Sequence, residues 1–164
     1  MEYRPDLGLL VIEFLAGKPL VNADFADGDV LRRAAASCRV LHAGPAFGTR
    51  FDMFERQAAY LRTVRRRGYR IPAGYDDHTD AWLDVRRVLA TTARPPVPCN
   101  NDLLAANFID DGAKVWLIDY EYSGNNDAAF ELGNTATECD FGLDQVEAYR
   151  FRRRCGSGRR TRAT

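Results

Sequence analysis

The chain lacks the features that mark membrane, secreted and disulfide-rich proteins. None of its apolar runs reaches 18 residues, so we expect no transmembrane helix. Its first residues do not combine a basic segment with a following apolar one, as a signal peptide does. The four cysteines are widely spaced and form no Cys-x-x-Cys pair, which favours reduced thiols over disulfides or a zinc site. We therefore expect a cytoplasmic protein without a membrane partner.

Acidic residues are missing from the last part of the chain. The 23 acidic and 23 basic residues balance, but residues 150–164 hold seven arginines and no acidic residue. This segment is predicted to be a basic, disordered tail after a folded part over residues 1–149. Such a tail could bind nucleic acid. Its lack of periodicity favours an incidental terminus instead, so we do not expect a nucleic-acid partner.

Histidine is scarce as well. His42 and His78 are the only two, and neither has acidic or cysteine neighbours at the spacing of a metal site. We expect both in loops or on helix surfaces. Glu55 and Arg56 are expected on a solvated helix face, because charged residues normally occupy the outer side of an amphipathic helix.

The residues that are present predict a folded α+β domain that is mostly helical. The composition is 46% hydrophobic and includes nine Phe, seven Tyr and two Trp, enough for one core. An apolar run at 7–15 is predicted to be a strand. Asp27 and Asp52 are suitable N-caps for the helices that follow them. Helical spacing is found at about 30–41, 53–67, 77–91, 128–139 and from 143 onward.

The segment from 98 to 121 carries most of the chemical information. Asp102 and Asn107 precede the sequence Asp-Asp-Gly at 110–112, and the apolar run at 115–118 ends directly in Asp119. The Asp-Asp-Gly sequence predicts a β-hairpin turn. A carboxylate at the end of a buried strand is costly unless a cation or a donor faces it. The hairpin therefore presents three oxygen-bearing side chains on a rigid unit.

Two interpretations of these side chains remain open at this point. Asp102 and Asn107 alone fit an ordinary polar turn equally well, since Asn and Asp are common in turns. With Asp119 added, a metal and phosphate site is favoured. Phosphoryl transfer needs one carboxylate to orient a hydroxyl, and a carboxylate plus an amide to hold magnesium.

The sequence resembles the choline/ethanolamine kinases, which belong with the aminoglycoside phosphotransferases in the protein-kinase-like fold. The resemblance covers about residues 8–149. It is specific in Asn-Asp-Leu-Leu-x-x-Asn-Phe at 101–108 and Trp-Leu-Ile-Asp-Tyr-Glu-Tyr at 116–122. It continues through 123–126, 130–134 and Glu138 and includes a hinge-like run at 11–17. The resemblance implies the large, C-terminal lobe of that fold, with the hairpin carrying the catalytic loop.

The resemblance also implies a role for each polar residue of the hairpin. Asp102 would be the catalytic base that accepts the proton of the substrate hydroxyl. Asn107 and Asp119 would bind Mg²⁺. Glu121 and Tyr122 would contact the acceptor, a small alcohol such as choline or ethanolamine.

For the second substrate, the resemblance implies ATP. Its adenine would meet the hinge at Glu13, Phe14 and Leu15. The activity implied is an ATP-dependent phosphotransferase that acts on the hydroxyl of a small amino alcohol.

Two departures from the family pattern modify this expectation. Asn100 stands where the family usually has His, which leaves the geometry of the loop in question. Ahead of the hinge we find no Gly-rich phosphate loop and no strand lysine, since Lys18 and Lys114 are the only lysines. We therefore expect a partial kinase domain, hinge plus large lobe, that is weakly active or inactive alone. The alternative is a non-catalytic kinase-like remnant that acts as a binding module.

Overall fold

Residues 2–150, which the computed structural model describes, form five α-helices and seven short β-strands. The helices are α1 (Gly28–His42), α2 (Met53–Arg66), α3 (Thr79–Thr92), α4 (Ala128–Glu138) and α5 (Leu143–Tyr149). The strands are β1 (Glu2–Arg4), β2 (Leu9–Val11), β3 (Lys18–Pro19), β4 (Val97–Cys99), β5 (Phe108–Asp110), β6 (Val115–Leu117) and β7 (Gly124–Asn126). Helix and strand content together confirm the predicted α+β class, and 48% of the structure is helical. Apart from Arg150, the predicted basic tail lies outside the described residues.

The strands pair in three small antiparallel sheets. The order of the central sheet is β3-β5-β6, and β1 with β2 and β4 with β7 form two-stranded ribbons. The predicted hairpin is confirmed as β5 and β6, in which Phe108 lies opposite Leu117 and Asp110 opposite Val115. Gly112 has a φ of 89° in the turn, a conformation that favours glycine.

The strand predicted over 7–15 is wrong in extent. Only Leu9–Val11 is a strand, and it pairs with the equally exposed β1. The chain beyond it is extended but lies outside any ladder until β3. Gly17 fixes where it joins the central sheet, because a Cβ there would lie 2.7 Å from Cγ2 of Ile109 and 2.8 Å from the carbonyl oxygen of Asp110.

Helix α1 forms the centre of the core. The Asp27 side chain accepts a hydrogen bond from the N–H of Asp29 at 2.7 Å, which confirms the predicted N-cap. The predicted apolar face is buried through Val30, Leu31, Ala34, Ala35 and Cys38. This face packs against β4, β6 and α5. The central sheet, β4 and α5 are therefore organised around one helix.

Aromatic side chains close the core beside the central sheet. The ring of Phe25 meets Phe108 edge-on at 5.5 Å and Phe141 at 5.1 Å between centroids. Tyr149, fully buried, packs against Phe141 at 5.3 Å. Burial of these rings supplies much of the hydrophobic stabilisation, since each large aromatic ring removes extensive apolar area from water.

Helices α2 and α3 stand apart from this core. The predicted cap of α2 is confirmed, since Asp52 accepts from the N–H groups of Phe54 and Glu55 at 2.9 and 3.2 Å. Neither helix has a fully buried residue: the apolar face of α2 is partly buried, whereas Val85 and Leu89 on the apolar face of α3 are exposed. The two helices contact each other through Phe54 and Trp82, whose centroids are 4.4 Å apart. No helix within residues 2–150 combines the length and hydropathy that crossing a membrane requires.

Candidate functional site

The segment between β4 and β5, residues 100–107, is called the site loop below, and its backbone is held by side-chain amides. Asn101 has a φ of 69°, in the left-handed region that Asn tolerates better than most residues. Its Nδ2 donates to the carbonyl of Tyr122 at 3.0 Å and to that of Cys99 at 3.3 Å. Its Oδ1 accepts from Nδ2 of Asn126 at 2.8 Å. One buried amide thus ties the site loop to β4 and β7.

Asn100 links the site loop to the segment after β6. Its Nδ2 donates to the carbonyls of Ile118 at 3.1 Å and Asp119 at 2.9 Å. Its Oδ1 accepts from the N–H of Asp102 at 3.0 Å. The side chain is fully buried, so no water competes for these bonds. An asparagine at this position therefore connects the backbones of Asp102 and Asp119 directly.

The structure brings Asp102, Asn107 and Asp119 together. Nδ2 of Asn107 donates to the carbonyl of Asp102 at 2.7 Å, and the Asn107 carbonyl accepts from the N–H of Ile118 at 3.0 Å. With its nitrogen engaged, the amide of Asn107 has its oxygen left for another ligand. Asp119 has a φ of 57°, a strained conformation of the kind that gathers at functional sites.

Two carboxylates share this space at an electrostatic cost. Partial burial raises the pKa of the Asp102 carboxyl, and the negative charge of Asp119 raises that pKa further. Like charges disfavour simultaneous ionisation, and a cation between them would relieve the repulsion. The Asp119 carboxylate and the side-chain oxygen of Asn107 are hard donors of the kind that Mg²⁺ prefers. The residues present therefore fit a magnesium ion.

Helix α2 contributes residues beside this group that the sequence analysis missed. The Arg56 guanidinium lies 5.5 Å from the ring centroid of Tyr122 and 5.3 Å from that of Phe51. A hydrogen bond with Tyr60 is the main cause that raises the pKa of Tyr122, and the charges of Glu121 and Asp102 act in the same direction. The expectation of a solvated face for Arg56 is wrong, because α2 turns this face toward the site. The spacing of Arg56 and Tyr60 by four residues, about one helical turn, indicates that the two side chains share one face of α2.

The other residues predicted for the site lie at its edges. Glu121 is exposed and Tyr122 is partly buried in the turn after Asp119. Glu13, Phe14 and Leu15 lie in the extended segment between β2 and β3, where Phe14 is 88% exposed. No hydrogen bond within residues 2–150 joins these three side chains to Asp102, Asn107 or Asp119. This segment approaches the site only through β3, which pairs with β5.

A buried carboxylate supports the site loop from behind. Oε1 of Glu131 accepts the N–H groups of Asn100 at 2.5 Å and Asn101 at 3.0 Å. Its Oε2 contacts Nε2 of His42. His42, Glu131 and Cys99 thus form a group in which the imidazole nitrogen, carboxylate oxygen and Sγ lie within 4.8 Å of one another. Burial, followed by the charge of Glu131, raises the pKa of the Cys99 thiol.

The prediction of a surface position for His42 is wrong. Its side chain is 9% exposed and Glu131 is fully buried. The reason is the helical period: His42 follows Cys38 by four residues and continues the buried face of α1. Glu131 was recognised only as part of a family motif, since a buried carboxylate cannot be distinguished from a surface one by residue type.

Comparison with known proteins finds similarity over most of the chain. A family model described as choline/ethanolamine kinase matches residues 8–152. Mouse ethanolamine kinase 1 is 41% identical over 150 residues, covering 79% of this chain and 39% of that protein. Human ethanolamine kinase 2 is 47% identical over 69 residues, covering 41% of this chain and 17% of that protein.

Solved structures show the same relationship. A choline/ethanolamine kinase family protein from Mesorhizobium loti superposes with a TM-score of 0.79 and 32% identity, covering 91% of this chain and 52% of that chain. Choline kinase LicA from Streptococcus pneumoniae has a TM-score of 0.74 at 23% identity, covering 88% of this chain and 56% of its own, and shares the fold. The chain thus spans less than half of the curated relatives it matches and about half of these solved structures.

Proposed function

Because the chain belongs to the choline/ethanolamine kinase family, we propose that it transfers the γ-phosphoryl group of ATP to the hydroxyl of a small amino alcohol. The observation that carries this proposal is the group of Asp102, Asn107 and Asp119, which Asn100 and the site loop hold together. In phosphoryl transfer the protein acts mainly by positioning and electrostatics, and a loop held at this many points suits that task.

Each of the three residues has one role in the proposal. Asp102 orients the acceptor hydroxyl and accepts its proton, and its raised pKa makes the ionised carboxylate a better base. Asn107 and Asp119 hold Mg²⁺ through their side-chain oxygens. Magnesium, when bound, neutralises charge on the phosphates.

The substrates are assigned to the two edges of the site. Glu121 and Tyr122 contact the acceptor, where the negative charges of Glu121 and Asp102 favour a cationic amine. Glu13, Phe14 and Leu15 contact the adenine ring of ATP. A structure of LicA in complex with AMP supports the choice of an adenine nucleotide, since that protein has the same fold. Residues 1–149 would then comprise the hinge and large lobe, with 150–164 as a basic tail.

A second candidate function is a kinase-like module that binds without catalysis. The observation that favours it is the exposed segment from Glu13 to Leu15, where Phe14 is 88% exposed and no wall of the described protein encloses an adenine. Such a module is expected to show neither turnover nor Mg²⁺-dependent nucleotide binding.

The test is an assay of the whole chain for ADP release with Mg²⁺, ATP and either ethanolamine or choline. Asp102→Asn should lower turnover by at least about a hundredfold, while calorimetry should still detect nucleotide binding. Asp84→Asn, on the exposed α3, is the matched control and should leave turnover unchanged. Equal turnover for wild type and Asp102→Asn would refute the catalytic assignment. Absence of both turnover and Mg²⁺-dependent nucleotide binding would favour the binding module.

A further inference from the structure

A buried line of contacts leads from the end of α1 to the site loop. It starts at the His42 ring, 9% exposed, passes through the fully buried Glu131 carboxylate on α4, and ends at the N–H groups of Asn100 and Asn101. The next residue along the chain is Asp102. The orientation of Asp102 therefore depends on a carboxylate that belongs to another element.

The Glu131 carboxylate needs partners at both oxygens. A buried carboxylate is costly unless its lone pairs accept hydrogen bonds. Oε1 accepts the two loop N–H groups at 2.5 and 3.0 Å. Oε2 contacts the imidazole Nε2 of His42, which donates when it carries the ring proton. Without that donor, Oε2 would have to find a new partner, and the carboxylate would rotate away from the loop.

The same three residues could also be considered as a metal site, because Cys99 completes the group. Two observations argue against it. Both Glu131 oxygens already have hydrogen-bond partners, and burial together with the charge of Glu131 raises the pKa of the Cys99 thiol. A protonated thiol is a poor ligand. The arrangement is better suited to hold the loop than to hold an ion.

We propose that His42 is a positioning residue for phosphoryl transfer, acting through Glu131 on the backbone of Asn100 and Asn101. The His42 ring orients the carboxylate, and the carboxylate fixes the two N–H groups that precede Asp102. The link to catalysis rests on the proposed kinase function. The link between His42 and the loop backbone does not, and it can be measured without any turnover.

The decisive pair of variants is His42→Gln and His42→Met. The two side chains are similar in length and volume, but only Gln has an N–H that can donate to Glu131. Amide hydrogen exchange of Asn100 and Asn101, followed by NMR on the whole chain, should accelerate about tenfold or more in His42→Met and remain near wild type in His42→Gln. His78→Met, on the exposed segment before α3, is the control and should change neither amide.

Turnover supplies the second readout. His42→Met should lower kcat about tenfold or more with the KM for ATP within about twofold, and His42→Gln should recover most of kcat. The proposal is overturned if the Gln and Met variants behave alike, whether both retain or both lose loop protection. It is also overturned if exchange accelerates equally throughout α1, which would mean a general structural role. Absence of turnover in the wild type would show that this chain is inactive alone, and hydrogen exchange would still decide the role of His42.

Discussion

The side-chain amide of Asn100 donates a hydrogen bond of 2.9 Å to the main-chain carbonyl of Asp119, while its oxygen accepts from the N–H of Asp102 at 3.0 Å. One buried side chain thereby joins the two acidic residues of the candidate site through their backbones. Asn100 stands where the family usually has His, and its amide supplies both a donor and an acceptor to the loop.

Removal of this link should destabilise the protein and disorder the site. Asn100→Ala leaves the N–H of Asp102 and the carbonyls of Ile118 and Asp119 without this partner. We expect the free energy of unfolding to fall by about 1–3 kcal/mol, measured by urea denaturation. Asn100→His, which introduces the residue usual in the family, should recover part of the loss. An Asn100→Ala variant as stable as wild type would show that water replaces the amide.

The pH dependence of Asp102 should change when the charge of Asp119 is removed. Burial and the charge of Asp119 both raise the pKa of Asp102 above its ordinary value of 3.8, so the folded state binds a proton more readily than the unfolded state does. This group therefore costs stability as pH rises from 3.8 through the folded-state pKa. In Asp119→Asn the pKa of Asp102, followed by NMR titration of its carboxyl carbon, should move down and remain above 3.8 because burial persists. No movement would mean that the two carboxylates do not interact.

Arg56 should affect the acceptor more than the fold. Its guanidinium stacks over Tyr122 and Phe51, a contact worth about 0.5–1 kcal/mol where it is solvent-accessible. Arg56→Ala should raise the KM for the amino alcohol several-fold with a change in unfolding free energy of about 1 kcal/mol or less. Arg56→Lys should not restore KM, because an ammonium lacks the planar stacking surface. Arg62→Ala, on the exposed side of α2, is the control and should match wild type.

The three cysteines within the described residues should be unreactive in the native protein. Cys38, Cys99 and Cys139 are free and buried, and burial raises the pKa of the Cys139 thiol to about 12. Alkylation with iodoacetamide at pH 8, read out residue by residue by mass spectrometry, should label these thiols slowly in buffer and rapidly in urea. Rapid native labelling of Cys139 would contradict its buried position beside the site loop.

Local sequence determined those features that depend on neighbouring residues. The helix caps at Asp27 and Asp52 and the buried face of α1 follow from spacing within one segment. So does the hairpin that carries Asn107 and leads to Asp119. Each of these needs only backbone hydrogen bonding and hydrophobic periodicity over a few residues. The family motif added the fold and the candidate site, whose residue roles stay a prediction.

Other features could not be predicted, because they depend on which elements lie side by side. The apolar faces of α2 and α3 have helical spacing, and the two helices meet through Phe54 and Trp82, yet Val85 and Leu89 remain exposed. The predicted long strand ends at Val11, where its pairing with the three residues of β1 ends. A hydrophobic pattern indicates a face and does not indicate what will cover it.

Residue types and their spacing therefore predict the three oxygen-bearing side chains of the candidate site, on one hairpin and its flanking loop. The partners that hold these side chains depend on how distant elements pack together. Glu131 reaches the site loop from α4 and His42 reaches Glu131 from α1, contacts that span 30 and 89 residues along the chain. Such contacts arise because buried polar groups need hydrogen-bond partners, and packing of the core decides which residues supply them. The spacing of residues in the sequence does not show which distant residues will meet.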